Sequence, residues 1–234
     1  MSNIAIIAAA GNGERLNCCK SKMLINILGR PLLAYTLDQF EQSEKIDEII
    51  LVIRAQDRQS IEEEVIKRNK YNKLISIVLG GLTRQESVYM GLKAIKKNVG
   101  TACIHDGARP LVKDWMIEKT IKMTDYYDGA AIAIPVIETI KRVFSQERLV
   151  EKTVNRDEYW IVQTPQTFKL RTIKKLYQKA LEENLTATDD AAIVEHYGGK
   201  IKIIPGSREN IKITTSLDVI WAEILLKERF KQIR

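Results

Sequence analysis

The sequence is poor in the residues that build disulfide frameworks and metal centres. Its 234 residues include three cysteines, Cys18, Cys19 and Cys103, and two histidines. The cysteines form no C-x-x-C pair and leave an odd count, which argues against a disulfide framework. A zinc site would need more ligands at workable spacing. We therefore expect reduced thiols, as in the cytosol.

The sequence also lacks any long hydrophobic run. No apolar stretch approaches the ~20 residues that span a bilayer, so we expect no membrane segment. The N-terminal residues MSNIAIIAAAGNGER have neither the basic lead nor the apolar length of a signal peptide. Together these absences predict a soluble, cytoplasmic protein.

No compact basic block with interleaved aromatic residues is present either. Lys and Arg number 37 against 30 Asp and Glu, a formal net charge of +7 that is spread along the whole chain. Such a surplus favours anionic partners but does not separate nucleic acid from a nucleotide. Without a basic aromatic patch, we expect no nucleic-acid partner.

What the sequence does contain is a regular alternation of apolar runs and helical patterns up to Pro135. Strands are predicted at 4–10, 48–53, 74–81, 101–107 and 129–136, and helices at 31–42, 57–69, 83–97 and 113–127. This alternation predicts an α/β fold, with an open, mostly parallel, Rossmann-like sheet flanked by helices.

The alternation breaks after Pro135. The stretch IETIKRVFSQERLVEKTVNRDEYWIVQTPQTF alternates polar and apolar residues around a turn-like SQE, as a hairpin does. An excursion of this length usually has a function or a partner. We predict one domain over 1–234 with a protruding β-arm at about 137–158. Helices at 170–183 and 189–197, a strand at 200–206 and a helix opened by Thr215 and Asp218 follow.

Glycines and polar residues gather after three of the predicted strands, where ligands bind in open α/β sheets. Gly11 and Gly13 follow the first strand, Gly80 and Gly81 the third, and the segment HDGAR at 105–109 the fourth. Three strand ends with compatible chemistry predict one shared ligand site.

The glycine turn after the first strand fits neither of two common nucleotide motifs. The dinucleotide fingerprint fails because Leu16 stands at its third glycine and the second strand ends in Arg54, and the P-loop pattern is absent. Backbone N–H groups of this turn could cradle a triphosphate while Arg15 and Lys22 neutralise it. Equally, the glycines could only turn the chain while the two cations are solvated.

The fourth strand end carries the sharper signal. Asp106 could hold Mg²⁺ or order a hydroxyl, and Arg109 could bind a phosphate bidentately; the alternative is that the two only brace the turn. Ser87, in the first turn of the 83–97 helix, could bind a base or a phosphate, or be an ordinary polar residue there. We expect His105 to be packed and hydrogen-bonded, not catalytic.

Seven segments together resemble one enzyme family almost from end to end. They are AAAGNGERL with Lys22, GGLTRQESVYMGL, HDGARPLV, ETIK, TVNRDEYWIVQTPQTF, TATDDAAIVE and RENIKITTSLDV. Their order and spacing resemble the 2-C-methyl-D-erythritol 4-phosphate cytidylyltransferases, nucleotidyltransferases of the non-mevalonate isoprenoid pathway. The resemblance implies the nucleotidyltransferase fold and transfer of CMP from CTP, with Mg²⁺ or another divalent cation and release of pyrophosphate.

The resemblance also implies roles for individual residues. It implies that Arg15, Lys22 and Lys212 are catalytic and act at the phosphates. It implies that the nucleotide is bound by Ala9, Ala10, Gly11, Gly13, Gly81, Ser87 and Asp106, and that Asp106 also binds the metal. The methylerythritol phosphate would be bound by Arg109, Thr139, Arg156, Thr164 and Thr188.

The resemblance further implies a homodimer in which the arm carries Arg156 to the active site of the second subunit. Three residues depart from the family's usual pattern beside functional positions: Ser21 where proline is common, and Glu138 and Asn155 where aspartate is common. We expect a less rigid loop before Lys22 for that reason. The nearest alternative is the ribitol 5-phosphate cytidylyltransferase of the same superfamily; a non-catalytic nucleotide-binding protein and a dehydrogenase are more distant.

Overall fold

Apolar runs form the central sheet of the protein. The computed structural model describes residues 2–11, 21–144 and 146–232. Strands alternate their side chains between two faces, and the interior of the first strand is buried on both: Ile4 and Ile6 pack on one side of the sheet, Ala5 and Ile7 on the other. Burial on both faces explains why these strands read as continuous hydrophobic runs.

The central sheet has seven strands: β1 Ser2–Ala8, β4 Glu48–Ile53, β5 Leu74–Leu79, β6 Gly100–Asp106, β7 Gly129–Pro135, β10 Trp160–Lys169 and β11 Ile201–Pro205. Their order in the sheet is β11-β7-β10-β6-β1-β4-β5. Every neighbouring pair is parallel except those made by β10, which is antiparallel to both β6 and β7. The sheet is therefore mostly parallel, as predicted.

Helices cover both faces of the sheet. They are α1 Leu32–Gln42, α2 Arg58–Ile61, α3 Arg84–Ala94, α4 Asp114–Met123, α5 Leu170–Glu182, α6 Asp190–His196 and α7 Ser216–Gln232. One buried cluster holds side chains of α1, α4 and α7, and the cluster on the opposite face holds those of α3, α5 and α6. No described helix combines the length and the apolar character needed to cross a membrane.

Two of the predicted helix starts have the expected hydrogen bonds. The Thr83 hydroxyl accepts from the backbone N–H of Glu86 at 3.0 Å. Asp218 and Thr215 bond reciprocally, since each side chain accepts from the other's backbone N–H. These bonds satisfy amide groups that a helix leaves unpaired at its start. By contrast, the single helix predicted over 57–69 is a 3-10 turn, the short α2 and a π-helical turn at Glu62–Ile66.

The excursion after Pro135 divides into two parts. A hairpin of β8 Lys141–Val143 and β9 Val150–Thr153 lies within the range predicted for the arm, and its strands are exposed. The alternating stretch beyond the predicted arm forms β10, which enters the main sheet between β6 and β7. A further small hairpin, β2 Asn26–Ile27 with β3 Arg30–Pro31, was not predicted.

Candidate active site

Two cavities open where the parallel strands end, and they share one wall. The first has a volume of about 510 Å³ and the second about 460 Å³. Arg84, Asp106 and Lys212 line both of them. A group bound in either cavity therefore meets the same three charged side chains.

Asp106, at the end of β6, is surrounded by cations. The Lys212 Nζ lies 2.7 Å from its Oδ2, the Arg84 Nε 3.0 Å from its Oδ1, and the Arg109 Nε 3.8 Å from its Oδ2. Burial by itself would raise the pKa of Asp106, but these cations outweigh it and hold the pKa well below its usual range. The carboxylate stays ionised, and the cluster keeps a net positive charge.

Arg84 is fixed from behind by a second carboxylate. Its two terminal nitrogens lie 3.0 and 2.8 Å from the two oxygens of Asp190, which is fully buried. The Tyr177 hydroxyl also donates to Asp190. Burial would lower the pKa of Arg84, but Asp190 and Asp106 raise it well above its ordinary value. Arg84 is thus a permanently charged residue held between two carboxylates.

His105 is packed and hydrogen-bonded, as predicted, and it orients Thr164. Its Nε2 lies 3.1 Å from the Arg109 carbonyl oxygen, and burial lowers its pKa to about 4. The neutral ring must donate from Nε2, because a carbonyl only accepts. Its Nδ1 then accepts from the Thr164 hydroxyl at 3.0 Å, and that oxygen accepts from the Asp106 backbone N–H at 3.1 Å.

The first cavity is formed by close approaches of several chain segments. A Cβ on Gly80 would lie 2.6 Å from both the Ala10 Cβ and the Ser87 Oγ, so only glycine fits there. Ser87 is buried and donates to the Thr83 carbonyl oxygen at 2.9 Å. Lys22, with 9% of its surface exposed, lies against the same space. The lining residues are Ala8, Ala10, Gly11, Lys22, Met23, Leu82, Thr83, Arg84, Ser87, Asp106, Ala108, Lys212 and Thr214.

The second cavity lies between β10, α6 and the Asp106 cluster. The Gln166 side chain closes one end, since its Nε2 donates to Asp189 at 2.8 Å and its Oε1 accepts from the Ala191 backbone N–H at 2.9 Å. The lining residues include Arg109, Val162, Gln163, Thr164, Gln166, Thr188, Asp189, Ala192 and Glu195.

Most of the residues named from the sequence meet at these two cavities. Ala9 is buried, and its backbone N–H donates to the Val52 carbonyl oxygen. Gly81 lines a third cavity, of about 450 Å³, which shares Ala10 and Leu82 with the first. Lys22, Lys212, Ala10, Gly11, Ser87 and Asp106 line the first cavity, and Arg109, Thr164 and Thr188 the second.

Three of the named residues that the structure describes, Ala9, Thr139 and Arg156, line none of these three cavities. Gly13 and Arg15 lie outside the described residues. Thr139 and Arg156 belong to the arm, are exposed, and line neither cavity of their own chain. The Arg156 guanidinium donates to the Ile137 carbonyl oxygen at 2.5 Å.

Arg84 and its anchor Asp190 were missed in the sequence. Arg84 is the first residue of α3, where the helix dipole disfavours a cation. A cation at that position signals a compensating anion from elsewhere in the fold. Here two anions compensate it, and they lie 22 and 106 residues away along the chain.

The donor set around Asp106 fits a metal that arrives with phosphates. Among the described residues, no group of three or more His, Cys, Asp or Glu side chains is arranged to hold a metal ion. Mg²⁺ is commonly held by one or two carboxylates together with substrate phosphates. Asp106 supplies one ionised carboxylate at the wall between the cavities.

Comparison with known proteins gives a consistent picture over the full chain. The family model described as IspD, 2-C-methyl-D-erythritol 4-phosphate cytidylyltransferase, matches residues 3–228. The enzyme of that name from Clostridium acetobutylicum is 45% identical over 226 residues, covering 97% of this chain and 98% of the relative. The one from Caldanaerobacter subterraneus subsp. tengcongensis is 40% identical, covering 97% and 100%.

Solved structures agree with the sequence relatives. A 4-diphosphocytidyl-2C-methyl-D-erythritol synthase from Anaerococcus prevotii superposes with a TM-score of 0.84 at 35% identity, covering 97% of this chain and 98% of that chain. The 2-C-methyl-D-erythritol 4-phosphate cytidylyltransferase from Francisella tularensis gives 0.79 at 30% identity, covering 96% and 99%. The predicted fold class is therefore confirmed.

Proposed function

The chain belongs to the 2-C-methyl-D-erythritol 4-phosphate cytidylyltransferase family, and from this premise we propose how its residues divide the reaction. The enzyme is a CTP-dependent nucleotidyltransferase of isoprenoid biosynthesis, which joins CMP to 2-C-methyl-D-erythritol 4-phosphate and releases pyrophosphate. The ribitol 5-phosphate alternative is not favoured, because the matched relatives carry the methylerythritol name.

We propose that the first cavity binds CTP. Lys22 and Lys212 lie against it and would neutralise the triphosphate. The Ser87 hydroxyl donates to the Thr83 carbonyl oxygen, so towards a ligand it can only accept. The amino group of cytosine is a suitable donor for it, whereas a phosphate oxygen is not. Gly81 and Ala10 would flank the base, and Gly13 and Arg15 would complete the site.

The second cavity is proposed to bind the methylerythritol phosphate. A phosphate oxygen of the methylerythritol phosphate attacks the α-phosphorus of CTP. The bond from that phosphorus to the oxygen that bridges it to the β-phosphorus breaks, and pyrophosphate leaves. The nucleophile is already an anion, so no side chain has to remove a proton. Positioning and charge neutralisation then carry the catalysis. The Thr164 hydroxyl donates its proton to His105, so its oxygen would accept a hydrogen bond from a hydroxyl of the methylerythritol phosphate. Arg109 and Thr188 would line the same space.

The shared wall is the observation that carries this proposal. Arg84 and Lys212 line both cavities, so a triphosphate in the first and a phosphate in the second would contact the same two cations where the cavities adjoin. Fixed positive charge at that point offsets the charge that develops during transfer. Mg²⁺ or another divalent cation, held by Asp106 and the phosphates, would add further charge neutralisation.

We also propose that the enzyme is a cytoplasmic homodimer in which the arm completes the partner's site. Thr139 and Arg156 are exposed and line neither cavity of their own chain. The arm also exposes apolar side chains, with Val143 46%, Phe144 55% and Leu149 58% accessible. Apolar exposure of this kind on a hairpin favours a protein contact. The supply of CTP inside the cell supports the cytoplasmic location.

Pyrophosphate release tests the proposed roles at the wall. Lys212→Ala should lower kcat at least ~100-fold, the scale observed when one preorganised donor is lost. Lys227→Ala, an exposed lysine of α7, is the matched control and should leave kcat unchanged. Near-normal turnover of Lys212→Ala would remove Lys212 from the mechanism. Pyrophosphate release with ribitol 5-phosphate but not with the methylerythritol phosphate would show that the proposed acceptor substrate is wrong.

Mixing two inactive variants tests the shared site. Lys212→Ala damages the cavity wall and Arg156→Ala damages the arm. In a mixed dimer, one of the two sites therefore combines an intact wall with an intact arm from the partner. Random pairing of equal amounts should restore about a quarter of the wild-type activity. No recovery, with dimers present by sedimentation, would show that each arm does not serve its partner.

A further inference from the structure

Ser21, the residue directly before Lys22, is buried and hydrogen-bonded. Only 7% of its surface is exposed, and its hydroxyl donates to the Asp57 Oδ2 at 2.9 Å. Asp57, 6% exposed, is paired with Arg54 through distances of 2.6 Å to Oδ2 and 3.0 Å to Oδ1. These three side chains form a continuous polar connection from the end of β4 to the turn that carries Lys22. A less rigid loop before Lys22 was expected from the sequence because Ser21 stands where proline is common, and that expectation did not include the hydrogen bond to Asp57.

This polar connection fixes the backbone before Lys22, whereas the hydrophobic core fixes the backbone after it. After Lys22, the chain forms a 3-10 turn in which the Leu24 N–H donates to the Ser21 carbonyl oxygen at 2.9 Å. Met23 and Leu24 pack into the core. Before Lys22, Ser21 is bonded to Asp57. A flexible lysine side chain points reproducibly only when its backbone is fixed on both sides.

We propose that Ser21 is a positioning residue of the transfer reaction, fixing the backbone of Lys22 through Asp57 and Arg54 so that the Lys22 ammonium meets the triphosphate. This inference rests on the proposed role of Lys22 at the CTP cavity. Ser21 does not line that cavity, so it acts through its neighbour and not on the substrate.

Two substitutions separate the bond from the backbone shape. Ser21→Ala removes the hydroxyl and leaves the torsion angles unrestrained. Ser21→Pro also removes the hydroxyl, but the φ of −52° at Ser21 lies within the range that a proline ring imposes. If the bond serves to hold the backbone, proline should substitute for it and alanine should not.

The experiment measures pyrophosphate release at saturating CTP and methylerythritol phosphate. We expect Ser21→Ala to lower kcat about ten-fold, as the loss of a hydrogen bond to a charged group allows, with the acceptor KM unchanged. Ser21→Pro should retain kcat within about two-fold. The matched control is Ser43→Ala, because Ser43 is 1% exposed and its hydroxyl has no hydrogen-bond partner within the described part of the chain. Normal kcat in Ser21→Ala would overturn the proposal.

A double-mutant cycle tests whether the effect passes through Lys22. In a Lys22→Ala background, Ser21→Ala should change kcat by less than about two-fold, because the coupled group is already gone. A full ten-fold loss in that background would overturn the proposal.

Titration of CTP alone by calorimetry repeats the cycle without turnover. Ser21→Ala should weaken CTP binding only when Lys22 is present, and equal weakening in both backgrounds would overturn the inference. A wild type that binds CTP but releases no pyrophosphate would refute the proposed function and would leave this binding test valid.

Discussion

The charged cluster around Asp106 and the β-arm both contain ion pairs, but the pairs are built in opposite ways. In the cluster, Arg84 joins two buried carboxylates from distant parts of the chain. In the arm, Arg142 pairs with Glu151 at 2.9 Å while 64% of the arginine side chain is exposed. The cluster is complete within one chain, whereas the arm leaves polar and apolar side chains uncovered.

The difference shows where each region obtains its stability. A buried charge has lost its hydration and depends on its partner, while an exposed charge exchanges its partner for water at little cost. The cluster must therefore fold as a unit, and its geometry is fixed before any substrate arrives. The arm is free of that constraint, which suits a segment whose contacts lie outside its own chain.

Breaking the cluster should have the largest effect. Arg84→Met leaves Asp190 buried without its cation, and we expect the free energy of unfolding to fall by about 3–5 kcal/mol. Urea denaturation measures this. The matched control is Arg58→Met, since Arg58 pairs with Glu62 in an exposed i,i+4 arrangement and should cost less than about 0.5 kcal/mol. Equal losses in the two variants would contradict the distinction between cluster and surface.

Acidification should weaken the protein through His105. Its folded pKa of about 4 lies below the ordinary 6.5, so between these values the unfolded chain binds the extra proton. The contribution of His105 to stability is therefore complete above pH 6.5 and is lost as pH falls towards 4, by about 3 kcal/mol in total. Urea midpoints measured across this window should show the slope.

Two variants identify the source of that slope. His105→Gln should flatten the stability profile between pH 4 and 6.5, because no imidazole remains to be protonated on unfolding. His196→Gln, at an exposed position in α6, should keep the slope. An unchanged slope in His105→Gln would show that other groups dominate the window.

The smallest effect is expected in the arm. Arg142→Ala should change the free energy of unfolding by less than about 1 kcal/mol, because both members of the pair keep their contact with water. Thermal unfolding at several protein concentrations measures it. A large loss that grows as the protein is diluted would instead show that a partner covers this pair.

The sequence predicted the four strands that are buried on both faces, β1, β4, β6 and β7, and also the more exposed β5 and β11. The apolar residues of these strands form a pattern that is visible without any knowledge of their neighbours. Helix starts were also predictable, because Thr83 and Glu86 are close in the chain.

The rest depends on contacts between remote residues. β10 buries Gln163, Thr164 and Gln166, so its sequence resembles an exposed hairpin. Their polar groups are satisfied by residues such as Asn210 and Asp189, 46 and 23 positions away. Arg84 and Asp190 were missed for the same reason, since local patterns do not show a partner 106 residues away. The glycine turn predicted Lys22 at a ligand site, and Lys22 lines the first cavity. The hydrogen bond of Ser21 to Asp57 was not predicted.

The position of β10 sets an order in which the chain can assemble during synthesis. β7 has β10 and β11 as its two neighbours, and both follow it in the sequence. A nascent chain that ends before Trp160 can form the β5-β4-β1-β6 part of the sheet, but β7 has nothing to pair with and β6 keeps an open edge. Unpaired edges of this kind invite pairing with other chains. The ribosome must therefore deliver β10 before the two halves of the sheet can close, and until then the growing chain carries an open sheet edge.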